Sequence, residues 1–334
     1  MNIHEKYISR CIELGKLAIG NSYPNPAVGC CIVHKDTIIG EGYTSSAGGN
    51  HAEINAIESV KDKSKLKEST LYVTLEPCSH YGKTPPCTNE ITKNKIPKVV
   101  IGLEDPYPKV SGAGIKKLKD AGVQVDVGVL KKECEEHHKR FLTYINKNRP
   151  YIILKWAETN DGFIAPKTKK EIKPVWISNK YSRQLVHKWR AEEQAIVVGA
   201  NTIREDNPEL TTRKVIGKNP KVIIINKRND LDKKSNVFKT NAEKIIISEK
   251  KINYNKPIAS QISKLLYQQE ITSLIVEGGA TTLNTFINEN IWDEARIFKS
   301  PVEIENGIKA PTIKFNSAKA TRINEDKLLI IYNK

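Results

Sequence analysis

Apolar positions along the chain alternate between a spacing near 3.6 residues and a spacing near 2. Tyr7, Cys11, Leu14 and Ala18 fall on one face of a helix predicted over 3–19. Apolar runs at 27–34 and 37–44 predict two strands. Cys30 and Cys31 are neighbours in the first, so their side chains should point to opposite faces. Ala52, Ala56 and Val60 recur at i, i+4 and i+8 and predict a helix over 50–60, entered from the Gly48-Gly49 turn. Strands at 70–75, 98–102 and 123–128 follow, interleaved with helices at 88–93, 112–120 and Glu133 to Tyr144. That alternation predicts a layered α/β sandwich.

The polar, proline-ended stretch Asn146-Lys147-Asn148-Arg149-Pro150 interrupts the pattern and reads as a domain boundary, giving domains over 1–146 and 150–334. Beyond it, strands are predicted at 151–157, 194–199, 221–226, 244–248 and 272–277, with helices at 179–190, 200–204, 257–269 and 280–289. Short β-rich runs with helical crossovers imply a mostly parallel sheet covered on both faces. Ala295 to Lys299, Ala318 to Asn324 and Lys327 to Tyr332 read as further strands, with an antiparallel hairpin closing the edge. A length of 334 residues is enough for about two domains.

Charge changes the picture only modestly. The net charge of +16 is spread along the chain, with no basic run interleaved with aromatics. This favours small anionic substrates over nucleic acid, since a positive field aids their capture. Lys63-Ser64-Lys65-Leu66-Lys67 and Lys167-Thr168-Lys169-Lys170 read as solvated loops. No apolar run approaches the ~18 residues of a membrane span, and the first helix lacks the apolar core of a signal peptide. The six cysteines form a poor disulfide framework, which fits a reducing compartment. The expectation is a cytoplasmic protein that does not engage membranes.

The candidate chemistry begins at His51-Ala52-Glu53, Pro77-Cys78 and Cys87. One imidazole and two thiols make a zinc site with a fourth position left for water, whose pKa the metal lowers. Glu53 would shuttle protons instead of binding metal. This is the residue set of the zinc deaminases that act on nucleobases. On the predicted helix, His51 and Glu53 would occupy the first turn, where the helix end favours negative charge. A closed structural site with His80 as fourth ligand is the alternative. Eight residues separate the two cysteines, where the usual deaminase signature has two. That insertion brings in His80 and Lys83, groups suited to a phosphorylated substrate. In the second half, Leu274 to Glu277 runs into Gly278-Gly279 and then a predicted helix, a turn at which helix N–H groups can meet a phosphate.

Together, Tyr23-Pro24-Asn25-Pro26-Ala27-Val28-Gly29-Cys30, His51-Ala52-Glu53, the run Thr74 to Cys87, and Asp105-Pro106-x-Pro108-x-Val110-x-Gly112-x-Gly114 resemble the bifunctional deaminase–reductases of riboflavin biosynthesis. The resemblance implies a cytidine-deaminase-like α/β/α sandwich followed by a dihydrofolate-reductase-like α/β domain. It also implies zinc and NADPH as cofactors, phosphoribosyl pyrimidines as substrates and a homo-oligomer. By the same resemblance, Asn25, His80 and Lys83 would bind the deaminase substrate. Ala157, Trp176, Thr202, Asp206 and the run Gly279, Ala280, Thr281, Thr282, Leu283, Asn284 and Thr285 would meet the cofactor. Arg190, Leu210, Arg213 and Glu277 would meet the reductase substrate, Arg213 through its phosphate. Asp206 is the candidate general acid, and Trp176 reads either as a neighbour of the nicotinamide or as a core aromatic.

The family's Ser-Leu-Asp-Gly is here Thr159-Asn160-Asp161-Gly162, the Ser two places before the tryptophan is Pro174, and the strand-ending Asp-Ser is Asn226-Lys227. Those departures and the net charge define two rivals: a single-activity deaminase with a non-catalytic C-terminal half, and a nucleic-acid-editing zinc deaminase.

Overall fold

The computed structural model describes residues 2–81, 85–107, 111–169 and 171–333. By its contacts the chain separates into two compact units, Met1–Lys147 and Asn148–Lys334.

In the first unit, α1 (Ile3–Ala18) precedes β1 (Gly29–His34), β2 (Thr37–Tyr43), α2 (Ala52–Ser59), β3 (Thr70–Val73), α3 (Cys87–Lys93), β4 (Lys98–Ile101), α4 (Ala113–Asp120), β5 (Gln124–Val127) and α5 (Lys131–Lys147). The sheet order is β2-β1-β3-β4-β5. β1 is antiparallel to both of its neighbours, and β3, β4 and β5 run parallel. Helix α1 is started by a capping box: Asn2 accepts from Glu5 N, and the Glu5 carboxylate accepts from Asn2 N.

Close packing fixes the layers. A Cβ at Gly29 would fall 1.9 Å from Cys11 O in α1, and one at Gly42 would fall 2.4 Å from Ala52 O in α2. Helices therefore lie almost on the backbone of the sheet from both sides. Cys31 points to the α1 side, with its Sγ 3.5 Å from Cys11 Sγ, while Cys30 faces the α2 side near Glu53. Opposite orientation of these two neighbours follows from strand alternation. The layered α/β sandwich expected from the pattern is the observed one, in the α/β/α order that the resemblance implies.

In the second unit the strands are β6 (Tyr151–Glu158), β7 (Phe163–Pro166), β8 (Ala195–Gly199), β9 (Lys221–Ile225), β10 (Lys244–Ile247), β11 (Ser273–Gly278), β12 (Glu294–Lys299), β13 (Gly307–Lys309), β14 (Lys319–Ile323) and β15 (Asp326–Tyr332). The helices are α6 (Lys180–Glu192), α7 (Ala200–Asp206), α8 (Asn236–Lys239), α9 (Ile258–Gln268) and α10 (Ala280–Asn288). The main sheet runs β10-β9-β8-β11-β6-β12-β15-β14. Its first six strands are parallel, and β15 and β14 complete it as an antiparallel hairpin. Alternate residues of β6 enter different cores: Ile152, Leu154 and Trp156 pack on one face, Tyr151 and Ile153 on the other. Both faces are covered, as buried parallel strands require.

Several features depart from the sequence expectation, among them the short helix α8, which was not predicted. Lys63–Glu68 forms a 3-10 turn with Leu66 buried, not a solvated loop. A small sheet of β7 and β13 was not anticipated, because each strand is too short for a period to register. Lys169 is an ion-pair partner of Asp206 with little exposed surface, while Lys170 lies outside the described residues.

Candidate active sites

His51, Cys78 and Cys87 converge in the first unit, with one ligand atom from each lying within 4.8 Å of the others. His51 Nδ1 lies 3.6 Å from Cys78 Sγ and 3.3 Å from Cys87 Sγ. Tetrahedral zinc with typical bond lengths sets N and S about 3.5 Å apart. The donor set therefore fits zinc in both identity and spacing. The helix begins at Ala52, two residues later than the apolar pattern predicts, so His51 is its N-cap residue and not part of its first turn. His51 makes no side-chain cap bond, which leaves its ring free for a metal. Cys78 follows the end of β3, and Cys87 opens α3, its N–H donating to Cys78 Sγ at 3.3 Å.

The electrostatics match the chemistry expected of such a group. The Cys87 thiol donates to Cys78, and together with His51 this pulls Cys78 down to about 4, although burial opposes it. Cys87 holds the shared proton and is pushed up. Without metal the pair thus carries one negative charge, and bound zinc would favour the second thiolate. Glu53 is 4% exposed. Burial and then the Cys78 charge raise its carboxyl to about 7, against the pull of His51. A carboxyl titrating near neutrality can both take and give a proton.

His80 is exposed and stands outside the cluster, so the closed four-ligand alternative does not hold among the described residues. Asn25 lies in the turn before β1, where its N–H donates to Ser22 O at 2.9 Å. Lys83 lies outside the described residues.

In the second unit, a cavity of about 1010 Å³ opens at the carboxyl ends of the parallel strands. This is where α/β sheets bind ligands. It is lined by Ala157, Trp176, Arg190, Thr202, Asp206, Leu210, Arg213, Glu277 and the turn Gly279 to Leu283. Asn284 and Thr285 are not among the lining residues; Thr285 lies one helical turn on, bonded to Thr281 O. Its walls carry nine Lys and Arg side chains (Lys155, Lys167, Lys169, Arg183, Arg190, Arg204, Arg213, Lys227, Arg228) against five carboxylates (Glu205, Asp206, Glu209, Asp230, Glu277). That excess suits an anionic ligand.

Gly279 is the N-cap of α10, with ordinary negative φ and no side-chain cap. A Cβ at Gly278 or Gly279 would make only ordinary 3.5 Å contacts with Thr202. The glycines are therefore not required by backbone strain. They leave the start of α10 open to a phosphate-bearing ligand.

Glu277 is gripped by Arg190, Nε to Oε1 at 2.8 Å and Nη2 to Oε2 at 2.7 Å, with Lys155 Nζ at 3.9 Å. Burial alone would raise its pKa, but the two cations hold it at about 2. Burial lowers Lys155. His187 falls to about 4 through burial and the nearby Arg190 and Arg213. Its Nδ1 accepts from Arg213 N at 3.3 Å. Sequence reasoning gave neither group a role. The signal for Lys155 was legible: a lone cation inside an otherwise apolar strand. None marked His187.

Trp176 is 58% exposed and lines the cavity, with the Arg183 guanidinium 4.8 Å over its ring, so it is not a core aromatic. Asp206 is paired with Lys169, which leaves its carboxylate engaged. With its amide turned to match its neighbour, Asn226 donates to Asp230 Oδ1 at 2.9 Å and accepts from Asp230 N at 3.1 Å. Lys227, at the rim, remains available for an anion, its Nζ 5.7 Å from the Tyr254 ring centre.

Sandwich and donor set define the class of zinc-binding deaminases, and the comparisons make the second unit a reductase domain. Residues 1–103 match the cytidine and deoxycytidylate deaminase zinc-binding region, and residues 150–309 match the RibD C-terminal domain. The chain is 37% identical to the riboflavin biosynthesis protein RibD of Aquifex aeolicus, over 99% of this chain and 98% of that one. It is 35% identical to that of Synechocystis, over 92% and 87%. The crystal structure of a diaminohydroxyphosphoribosylaminopyrimidine deaminase/5-amino-6-(5-phosphoribosylamino)uracil reductase from Thermotoga maritima superposes with a TM-score of 0.88 at 35% identity, covering 99% of this chain and 98% of that chain. Acinetobacter baumannii RibD gives 0.87 at 28% identity, with the same coverage. The chain belongs to the RibD family, the bifunctional deaminase–reductases of riboflavin biosynthesis. The single-activity and nucleic-acid-editing readings are not favoured. Among the described residues, no helix is long and apolar enough to cross a membrane.

Proposed function

We propose that this chain removes the 2-amino group of 2,5-diamino-6-(5-phosphoribosylamino)pyrimidin-4-one and then reduces the ribosyl group of the product, 5-amino-6-(5-phosphoribosylamino)uracil, to ribityl with NADPH. Residues 1–146 carry the first activity and residues 150–334 the second. The observation that carries this reading is the pairing of a three-ligand N/S/S cluster beside a buried carboxyl with a basic cavity at a glycine-ended strand, on a chain matched end to end by RibD proteins.

His51, Cys78 and Cys87 would hold zinc, which would supply Lewis acidity and an activated water when bound. Glu53, buried beside the cluster, would be the residue that moves protons between the attacking water and the departing amine; its burial keeps it protonatable near neutral pH. Asn25, His80 and Lys83 hold the ring and the phosphoribosyl arm.

In the reductase half, Thr202, Ala157, Trp176 and the Gly279–Leu283 turn seat the nucleotide, with Asn284 and Thr285 supporting that turn from the next one. NADPH would supply the hydride when bound, and the protein's contribution is placement and charge. Arg213, at the rim with part of its guanidinium exposed, meets the substrate phosphate. Leu210 packs against the substrate, and Glu277, held ionised by Arg190 and Lys155, faces it. Lys155, buried beside Glu277 with its pKa lowered by burial, joins Asp206 as a cavity-lining group placed to deliver a proton. Lys227 would meet the 2′-phosphate that separates NADPH from NADH. A cytoplasmic homo-oligomer is part of this reading.

The test supplies the diaminopyrimidine substrate and NADPH to the purified chain and follows ammonia release and NADPH oxidation. Both should occur, with oxidation lagging ammonia. Ammonia release with no oxidation would reduce the chain to a deaminase.

A further inference from the structure

Glu76 lies two residues before Cys78 and is buried, yet it belongs to no metal cluster among the described residues. Four backbone N–H groups converge on its carboxylate. Gly114 N and Ile115 N donate to Oε1 at 2.8 and 3.1 Å; Gly112 N and Asp105 N donate to Oε2 at 3.0 and 3.2 Å. All four donors come from the segment that leaves β4 and enters α4. Glu76 N in turn donates to Leu103 O at 2.9 Å. Gly114 closes the same joint from the other side: a Cβ there would fall 2.1 Å from Pro77 O. The start of α4 is thus pressed against the turn that delivers Cys78.

The place matters. β3 and β4 are parallel neighbours, and Glu76 and Asp105 both stand beyond their carboxyl ends, the crevice where such sheets bind ligands. Asp105 is buried and close enough to Cys78 for their charges to interact. A charged acceptor of four N–H bonds is among the stronger ways to fix irregular backbone. The two ligand-bearing turns have other supports, including the Cys87 N bond to Cys78 Sγ and the Thr88 bonds to Cys78 O. Asp105 and Gly112, toward the two ends of the β4–α4 connection, are both tied to Glu76.

We propose that Glu76 is a positioning residue of the deaminase site, holding the Asp105–Tyr107 segment and the start of α4 as one wall of the substrate pocket. Its role is to set substrate affinity, not metal retention. This rests on the deaminase reading above.

The experiment compares the full chain with Glu76→Gln, which keeps the shape but removes the charge and turns one acceptor into a donor. Zinc content, deaminase kcat and KM, and amide hydrogen exchange over residues 103–115 are measured. The variant should keep its zinc, raise KM about tenfold or more with kcat changed less, and exchange faster over that segment. A parental KM in a zinc-loaded variant overturns the proposal. If Glu76→Gln is insoluble, Gly114→Ala strains the same joint and should give the same rise in KM; a parental KM there overturns it as well. Loss of zinc from both variants also overturns it, because Glu76 would then be supporting the metal. A parental chain that holds no zinc or releases no ammonia sinks the underlying deaminase reading instead.

Discussion

His51 Nδ1 stands 3.3 Å from Cys87 Sγ, although 36 residues separate them in the chain. That separation is close to the edge of a zinc tetrahedron, and the fold produces it by placing one residue at the N-cap of α2 and the other at the start of α3. Cys87→Ala should therefore abolish zinc binding and deamination, while NADPH oxidation with the deaminated intermediate stays within about twofold, since the reductase cavity lies in a separate compact unit. Metal analysis alongside both assays checks this. A parallel loss of oxidation would tie the two sites together and contradict it.

Glu53 is the proton carrier in this account. Glu53→Gln keeps the volume and cannot titrate, so zinc should remain at the parental level while deamination falls at least about a hundredfold. A variant that releases ammonia at the parental rate removes Glu53 from the mechanism.

The Arg213 side chain is tied only loosely to its own domain, through Thr211 Oγ1 at 3.4 Å and Glu209 at 3.5 Å. Arg213→Ala should raise KM for the phosphorylated intermediate about tenfold or more and leave the Kd for NADPH nearly unchanged, as expected for losing one bidentate phosphate contact. An unchanged KM refutes the assignment, and a weakened Kd moves Arg213 to the cofactor.

Acid stability depends on two imidazoles of α5, His138 buried and His137 partly buried. His137 contacts Ala27 O at 2.6 Å and His138 contacts Thr74 Oγ1 at 3.0 Å, tying α5 to the ends of β1 and β3. Burial lowers His137 to about 4 and holds His138 well below the ordinary imidazole value. Both are neutral when folded but take up protons near pH 6.5 when unfolded, so their stabilising effect is complete above about 6.5 and is lost as pH falls toward 4. The first unit should lose on the order of 1–3 kcal/mol between pH 7 and 4.5. His138→Gln should show a flatter pH dependence of its melting temperature. Equal slopes in the two proteins would contradict the linkage.

The metal site was legible in the sequence because its chemistry needs fixed residue types at short range: His51 and Glu53 share one helix start, and Cys78 follows a proline after a strand. The parallel strands were legible because burial on both faces leaves unbroken apolar runs such as Leu274 to Val276. What escaped was set by partners far along the chain. Nothing near Asp206 announces its pairing with Lys169, and nothing near Glu76 announces four donors some 29 to 39 residues away. His51 illustrates the limit at element ends, since the apolar period marks a helix but not the residue that caps it.

The most direct test of the central claim is zinc content measured together with ammonia release from the diaminopyrimidine phosphoribosyl compound, before and after chelation. The account predicts one zinc per chain, ammonia release that disappears when the metal is stripped and returns when zinc is restored, and NADPH oxidation that persists throughout when the intermediate is supplied. Undiminished ammonia release from metal-free protein would contradict it.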